Sequence, residues 1–157
     1  MTDTVRTTTV RAEAATDGAM RALGARLAAL LAPGDLLILS GPLGAGKTTL
    51  TQGIAEGLKV RGPITSPTFV ISRIHPPLGD GPALVHVDAY RLGDAAELDD
   101  IDLDATLADS VTVVEWGEGL AEELSEERLE ITLERRPDDT RALLFTGFGP
   151  RWADLRL

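Results

Sequence analysis

The run Gly41-Pro42-Leu43-Gly44-Ala45-Gly46-Lys47-Thr48 fits the pattern G-x-x-x-x-G-K-[ST] in full. Each residue type answers a need of phosphate chemistry. Glycines let backbone N–H groups curl inward around phosphate oxygens, through conformations that a Cβ would forbid. A helix starting at the end of the run adds the partial positive charge of its N-terminus. Lys47 supplies a mobile point charge for β- and γ-phosphates, and the Thr48 hydroxyl is a hard oxygen ligand for Mg²⁺. The pattern therefore points to Mg-ATP held by Gly41, Gly44, Ala45, Gly46, Lys47, Thr48 and Thr49, with Lys47 expected as an exposed site residue rather than part of the core. A glycine-rich turn can match such a pattern by chance. Context decides against chance: the apolar run Leu36-Leu37-Ile38-Leu39 precedes it as a strand buried on both faces. A helix over residues 47–58 follows, with Leu50, Ile54 and Leu58 on one side.

A phosphate loop of this kind needs a further carboxylate toward the metal, usually at the carboxyl end of a neighbouring strand. Asp88 ends Leu84-Val85-His86-Val87, and Glu115 ends Val111-Thr112-Val113-Val114. In an open α/β sheet both ends converge on the ligand crevice. One of the two could hold Mg²⁺, directly or through water, while the other orients or activates the attacking water. The bland alternative makes Asp88 a turn cap and Glu115 a solvated strand end. Trp116, at the rim of the same crevice, either stacks on the nucleotide or fills core, and the second is the commoner use of a tryptophan. His86 reads as a satisfied buried histidine rather than a general base.

The remaining elements form one domain over residues 1–157, with no repeat or linker. Residues 4–10 have the β-branched content of an edge strand. Residues 16–31 place Met20, Leu23, Leu27, Leu30 and Leu31 on one helix face, with Thr16 or Asp17 as N-cap and Pro33-Gly34 as the stop. Further strands are expected over residues 68–74 and 83–88, either side of a Pro/Gly loop. An acidic helical segment spans residues 95–107, and an antiparallel hairpin joins residues 129–133 to 143–145 through Arg136-Pro137-Asp138-Asp139. The fold class is α/β: a P-loop NTPase three-layer sandwich whose mixed sheet has a parallel centre and antiparallel margins, including a C-terminal hairpin.

Composition narrows the function classes. The 157 residues carry 25 acidic and 15 basic side chains for a net charge of −10, which disfavours unaided binding of nucleic acid. No apolar run approaches membrane-spanning length, and the N-terminus carries no signal-peptide core, so a cytoplasmic location is expected. Without cysteine there is no disulfide, thiolate metal site or Cys nucleophile. Without asparagine the guanine-reading Asn-Lys-x-Asp cannot exist, which disfavours a GTPase.

Ser66-Pro67-Thr68-Phe69, His86-Val87-Asp88-Ala89-Tyr90-Arg91 and Val114-Glu115-Trp116-Gly117-Glu118 follow the phosphate loop in an order and spacing that resembles the TsaE (YjeE) family. The resemblance spans nearly the whole chain. It implies an ATPase required to form threonylcarbamoyladenosine in tRNA beside the anticodon, acting with the partners TsaD and TsaB and touching tRNA only through them. Carried over by motif, Lys47 and Thr48 hold phosphate and Mg²⁺, Glu115 is a Mg²⁺ ligand and Asp88 belongs to the same acidic site. Residues 66–69 correspond to a switch-like loop, and Trp116 lies in the nucleotide-site motif. For the base-contacting position before the first helix the chain offers Thr16 or Asp17. From Arg135 onward the motif singles out no arginine. Two other functions fit a P-loop: a small-metabolite kinase, disfavoured because the acidic residues 94–109 would repel an anionic acceptor, and a nucleotide-dependent docking switch.

Overall fold

A computed structural model describes residues 7–42, 44–62, 72–88, 108–115 and 127–157. Seven strands form one sheet: β1 (Thr7–Ala14), β2 (Leu36–Ser40), β3 (Ser72–His75), β4 (Ala83–Asp88), β5 (Ser110–Glu115), β6 (Arg128–Arg135) and β7 (Arg141–Phe148). Helix α1 (Asp17–Ala28) follows β1, and α2 (Lys47–Leu58) follows β2. The spatial order is β1-β7-β6-β2-β5-β4-β3. Strands β6, β2, β5 and β4 run parallel to their neighbours, while β1, β7 and β6 on one side and β3 and β4 on the other pair antiparallel. The expected parallel centre and antiparallel margins are therefore present, with the C-terminal hairpin feeding β6 directly against β2.

Continuous apolarity made β2 a central strand, and Leu36, Leu37, Ile38 and Leu39 are all fully buried. Side chains alternate along a strand, so Leu37 and Leu39 meet the core formed with Met20, Leu23 and Leu27 of α1 and Leu50 and Ile54 of α2. Leu36 and Ile38 are buried on the opposite face. The two described helices thus make one outer layer of the three expected.

Helix α1 starts as its sequence dictates: Thr16 sits in an extended conformation and its Oγ1 accepts the Ala19 amide at 3.0 Å. It ends earlier than its apolar period suggests. Residues 29–32 turn away so that the Asp35 carboxylate can accept the Ala32 amide at 2.7 Å, and Leu30 is left exposed. Arg151, beside the buried Trp152, donates to both oxygens of Asp35 at 3.1 and 2.9 Å and so ties the C-terminal segment to the entrance of β2. Strand β1 runs later than the β-branched stretch: Arg11-Ala12-Glu13-Ala14 has poor strand propensity but finds a full ladder on β7. Of the strand expected over residues 68–74, β3 covers the end; residues 68–71 lie outside the described residues, as do residues 95–107.

The α1–α2 contact relies on a glycine. A Cβ on Gly53 would lie 2.2 Å from the Arg21 carbonyl oxygen and 2.8 Å from the Arg21 Cα, both backbone atoms that cannot step aside. Gly53→Ala must therefore part the two helices. Overpacking costs typically about 1–3 kcal/mol, equivalent to a melting temperature lower by about 2–12 °C at this size. An unchanged Tm in calorimetry would contradict the helix packing described.

Candidate functional site: the phosphate loop and its neighbours

The loop leaves β2 at Ser40 and enters α2 at Lys47, at the carboxyl edge of the sheet. Gly41, Gly44 and Gly46 adopt φ of 152°, 80° and 104°, so the chain curls through the left-handed region between strand and helix. Gly46 occupies the N-cap of α2 and brings no capping side chain. A helix leaves its first-turn amides without intrahelical acceptors, and those of Thr48 and Thr49 lie at the loop end of α2. Ala45 is fully buried and its amide donates to the Pro42 carbonyl at 3.2 Å, which tightens the turn. The glycines, Ala45, Lys47, Thr48 and Thr49 named from the motif are thus brought together as one cradle.

Lys47 departs from expectation. Its residue is 6% exposed, not a free surface lysine. Nζ donates to the carbonyl oxygens of Gly41 and Pro42, the latter at 3.1 Å, folding the ammonium back over its own loop. Thr51 Oγ1 in turn donates to the Lys47 carbonyl at 2.9 Å. The cause is local: the loop carbonyls provide the ammonium with acceptors in a pocket that water hardly enters, which satisfies a charge that would otherwise be costly to bury.

Glu115 closes β5 next to the loop. Its cross-strand partners are Leu39 of β2 and Asp88 of β4. The alternation that sends Val111 and Val113 into the α1–α2 core puts Glu115 on the same face, toward the N-terminal end of α2. It is 5% exposed, so the solvated-strand-end alternative fails. Its carboxylate is held instead by His86, whose Nε2–H donates to Oε2. His86 is buried, as expected of it, and its partner is the candidate metal ligand. Asp88 is placed by its backbone at the end of β4, in register with Glu115. Trp116 and residues 66–69 lie outside the described residues.

Thr16 caps α1 and also lines a cleft of about 230 Å³ shared with Ala14, Asp17, Arg135, Asp139 and Arg141. This cleft adjoins the phosphate loop: Arg135 Nη1 is 3.6 Å from the point a Cβ on Gly44 would occupy. Arg135 is held by Asp139 through Nε and Nη2 at 3.0 and 2.7 Å. Arg141 Nε is buried with no hydrogen-bond partner among the described residues, an unusual state for a guanidinium nitrogen. Arg135, Asp139 and Arg141 line this cleft, and motif reasoning singled out none of them. A signal existed in the period-2 alternation of β6, which continues Leu129, Ile131 and Leu133 to Arg135 on the helix-bearing face.

The donor set fits Mg-ATP. A curled glycine loop on an uncapped helix N-terminus suits phosphate, and an unpaired guanidinium nitrogen suits further anionic or polar ligand atoms. Among the described residues no group of three His, Asp or Glu forms a metal cage.

A sheet with a parallel centre, a glycine-rich loop leading from its central strand into a helix and a buried acid at the end of the adjacent strand define a P-loop NTPase-like fold. The sequence profile described as "Threonylcarbamoyl adenosine biosynthesis protein TsaE" matches residues 14–143. The chain is 63% identical over 139 residues to the tRNA threonylcarbamoyladenosine biosynthesis protein TsaE of Streptomyces coelicolor, covering 85% of this chain and 94% of that one. It is 42% identical over 134 residues to the TsaE of Bacillus subtilis, covering 84% and 82%. In three dimensions it is similar to the crystal structure of Bacillus subtilis YdiB, with a TM-score of 0.75 and 35% identity over 96% of this chain and 92% of that one. The chain belongs to the TsaE family.

Thr16 can be tested for its part in building the cleft wall. Replacement of an N-cap threonine by alanine typically costs about 1 kcal/mol, so Thr16→Ala should lower Tm by about 2–4 °C. Thr16→Ser should retain most of the stability. Equal loss in both variants would contradict the capping role.

Proposed function

We propose that this chain is a Mg-dependent ATPase required for threonylcarbamoyladenosine formation in tRNA beside the anticodon, working with TsaD and TsaB homologues. The observation that carries the reading is the phosphate cradle: glycines at positive φ on an uncapped helix N-terminus, beside a buried carboxylate at the end of the adjacent strand. Membership of the TsaE family supports the pathway.

In this reading the amides of Gly44 and of residues 46–49 receive the β- and γ-phosphates, and Lys47 exchanges its carbonyl acceptors on Gly41 and Pro42 for phosphate oxygens. Thr48 Oγ1 and a Glu115 oxygen would hold Mg²⁺, which would supply charge neutralisation for the phosphates. Asp88 orients the attacking water, and Trp116 borders the nucleotide. The cleft beyond Gly44 takes the nucleoside end of the same ligand, with Thr16 near the base and Arg135 and Arg141 supplying positive charge. Arg135 reaches that ligand by leaving Asp139, an exposed pair that is cheap to break.

The net charge of −10 denies the protein the counterion-release energy that dominates tRNA affinity, so its role in tRNA modification runs through partner surfaces. A cytoplasmic site of action goes with that role, and among the described residues no helix is long and apolar enough to cross a membrane.

Lys47→Ala should weaken ATP binding in calorimetry by about 10- to 100-fold, the equivalent of one lost charge-assisted hydrogen bond. Unchanged affinity would sink the assignment of the loop. In cells, depletion of the protein should remove threonylcarbamoyladenosine from digested total tRNA, measured by nucleoside mass analysis. Wild type should restore it and Lys47→Ala should not. Normal levels in depleted cells would refute the pathway reading while leaving the nucleotide site standing.

A further inference from the structure

Among the buried polar side chains that the proposed function leaves without a task, His86 is the one paired with a proposed metal ligand. His86 is 1% exposed on β4, where a histidine is costly unless its ring nitrogens are engaged. It could have paired with a backbone carbonyl, as His75 does with Arg61. Instead its Nε2–H donates to Oε2 of Glu115, across the β4–β5 boundary and two residues beyond its register partner Val113. His86 pairs with Val113 and Asp88 pairs with Glu115, so the imidazole lies one pleat behind the acidic strand ends. It approaches the carboxylate from the interior of the sheet, the side away from the crevice mouth.

We infer that His86 is a positioning residue for the divalent cation: its Nε2–H fixes one carboxylate oxygen of Glu115 and leaves the other as the metal ligand. The inference rests on the reading of Glu115 as a Mg²⁺ ligand. A glutamate at a strand end has three side-chain torsions, and a metal ligand that rotates freely must be ordered each time the cation binds. One anchored oxygen removes that freedom before the metal arrives. It also leaves the carboxylate no room to bind the metal through both oxygens, which favours the single contact that a small octahedral cation accepts. Outer-shell hydrogen bonds of this kind typically govern metal affinity by about 10- to 100-fold.

A merely structural role, in which His86 only satisfies a buried carboxylate, predicts loss of stability without a selective change in metal dependence. The two are separated by comparing His86→Leu, which removes the donor, with His86→Gln, which keeps an N–H near the Nε2 position. For each, the Mg²⁺ concentration giving half-maximal ATP binding and hydrolysis is measured beside the affinity for ATP in the presence of EDTA. His86→Leu should raise the Mg²⁺ requirement by about 10- to 100-fold, far more than it alters metal-free ATP affinity, and His86→Gln should recover most of the loss. Glu115→Gln provides the reference. If Glu115→Gln shifts the Mg²⁺ requirement and His86→Leu does not, the positioning role is wrong and the metal ligand stands. If neither shifts it, Glu115 is not a ligand and both ideas fall.

Should His86→Leu not fold, the wild-type protein still decides the matter. The chain has two histidines, so ring ¹⁵N resonances assign with a single His75→Gln control. The His86 Nε2 signal should move when Mg-ATP is added and stay nearly still with ATP in EDTA. Identical shifts in the two conditions would overturn the proposal.

Discussion

Both edges of β2 are paired, with β5 on one side and β6 on the other, and its side chains from Leu36 to Leu39 have no contact with water. Each such apolar side chain contributes on the order of 2 kcal/mol of transfer free energy. A one-residue slip of the strand would swap the side chains between its two buried faces and undo the packing of Leu37 and Leu39 against α1 and α2. The register is therefore held hard, and the position of everything attached to its carboxyl end follows. Ser40 marks where the strand stops. The phosphate loop must turn there, Glu115 must stand beside Leu39, and Arg135 is set three residues past the β6 residue that pairs with Ser40. The site depends on loops only for its curl; its reference points lie on rigid strands.

Three charged side chains near that edge have partners within the protein. Lys47 rests on two carbonyls of its own loop, Glu115 on His86, and Arg135 on Asp139. These partners differ in how firmly they hold. The Arg135 pair is exposed and weakly held, whereas the Glu115 pair is buried, where loss of one partner would strand a charge. Under the proposed function that gradient lets the cations exchange internal contacts for phosphate contacts while the carboxylate keeps its place.

Much of this was legible in the sequence because it is encoded by local rules. Glycine at positions that need positive φ, the unbroken apolar run of β2, the period of α2 and the Thr16 cap all follow from chemistry within a few residues. The strand ends at Asp88 and Glu115 were readable for the same reason. What escaped was set by neighbours distant in sequence. Lysines are usually exposed, and only the folded loop shows that Lys47 is enclosed by it. The apolar period ran on to Leu30, but the contact of Asp35 with Ala32 and Arg151 ends that helix sooner. Ala12 and Ala14 are poor strand formers that β7 recruits. The pairing of His86 with Glu115 needed the register of β4 on β5, which no single stretch of sequence contains.

The central claim is that the loop between β2 and α2 receives the phosphates of a nucleotide with its own backbone amides. Amide hydrogen exchange reads those groups directly. On addition of Mg-ATP, exchange should slow most over residues 44–49, with smaller protection around Thr16 and Arg135. ATP binding that left residues 44–49 exchanging as before, with protection confined to other parts of the sheet, would contradict the account.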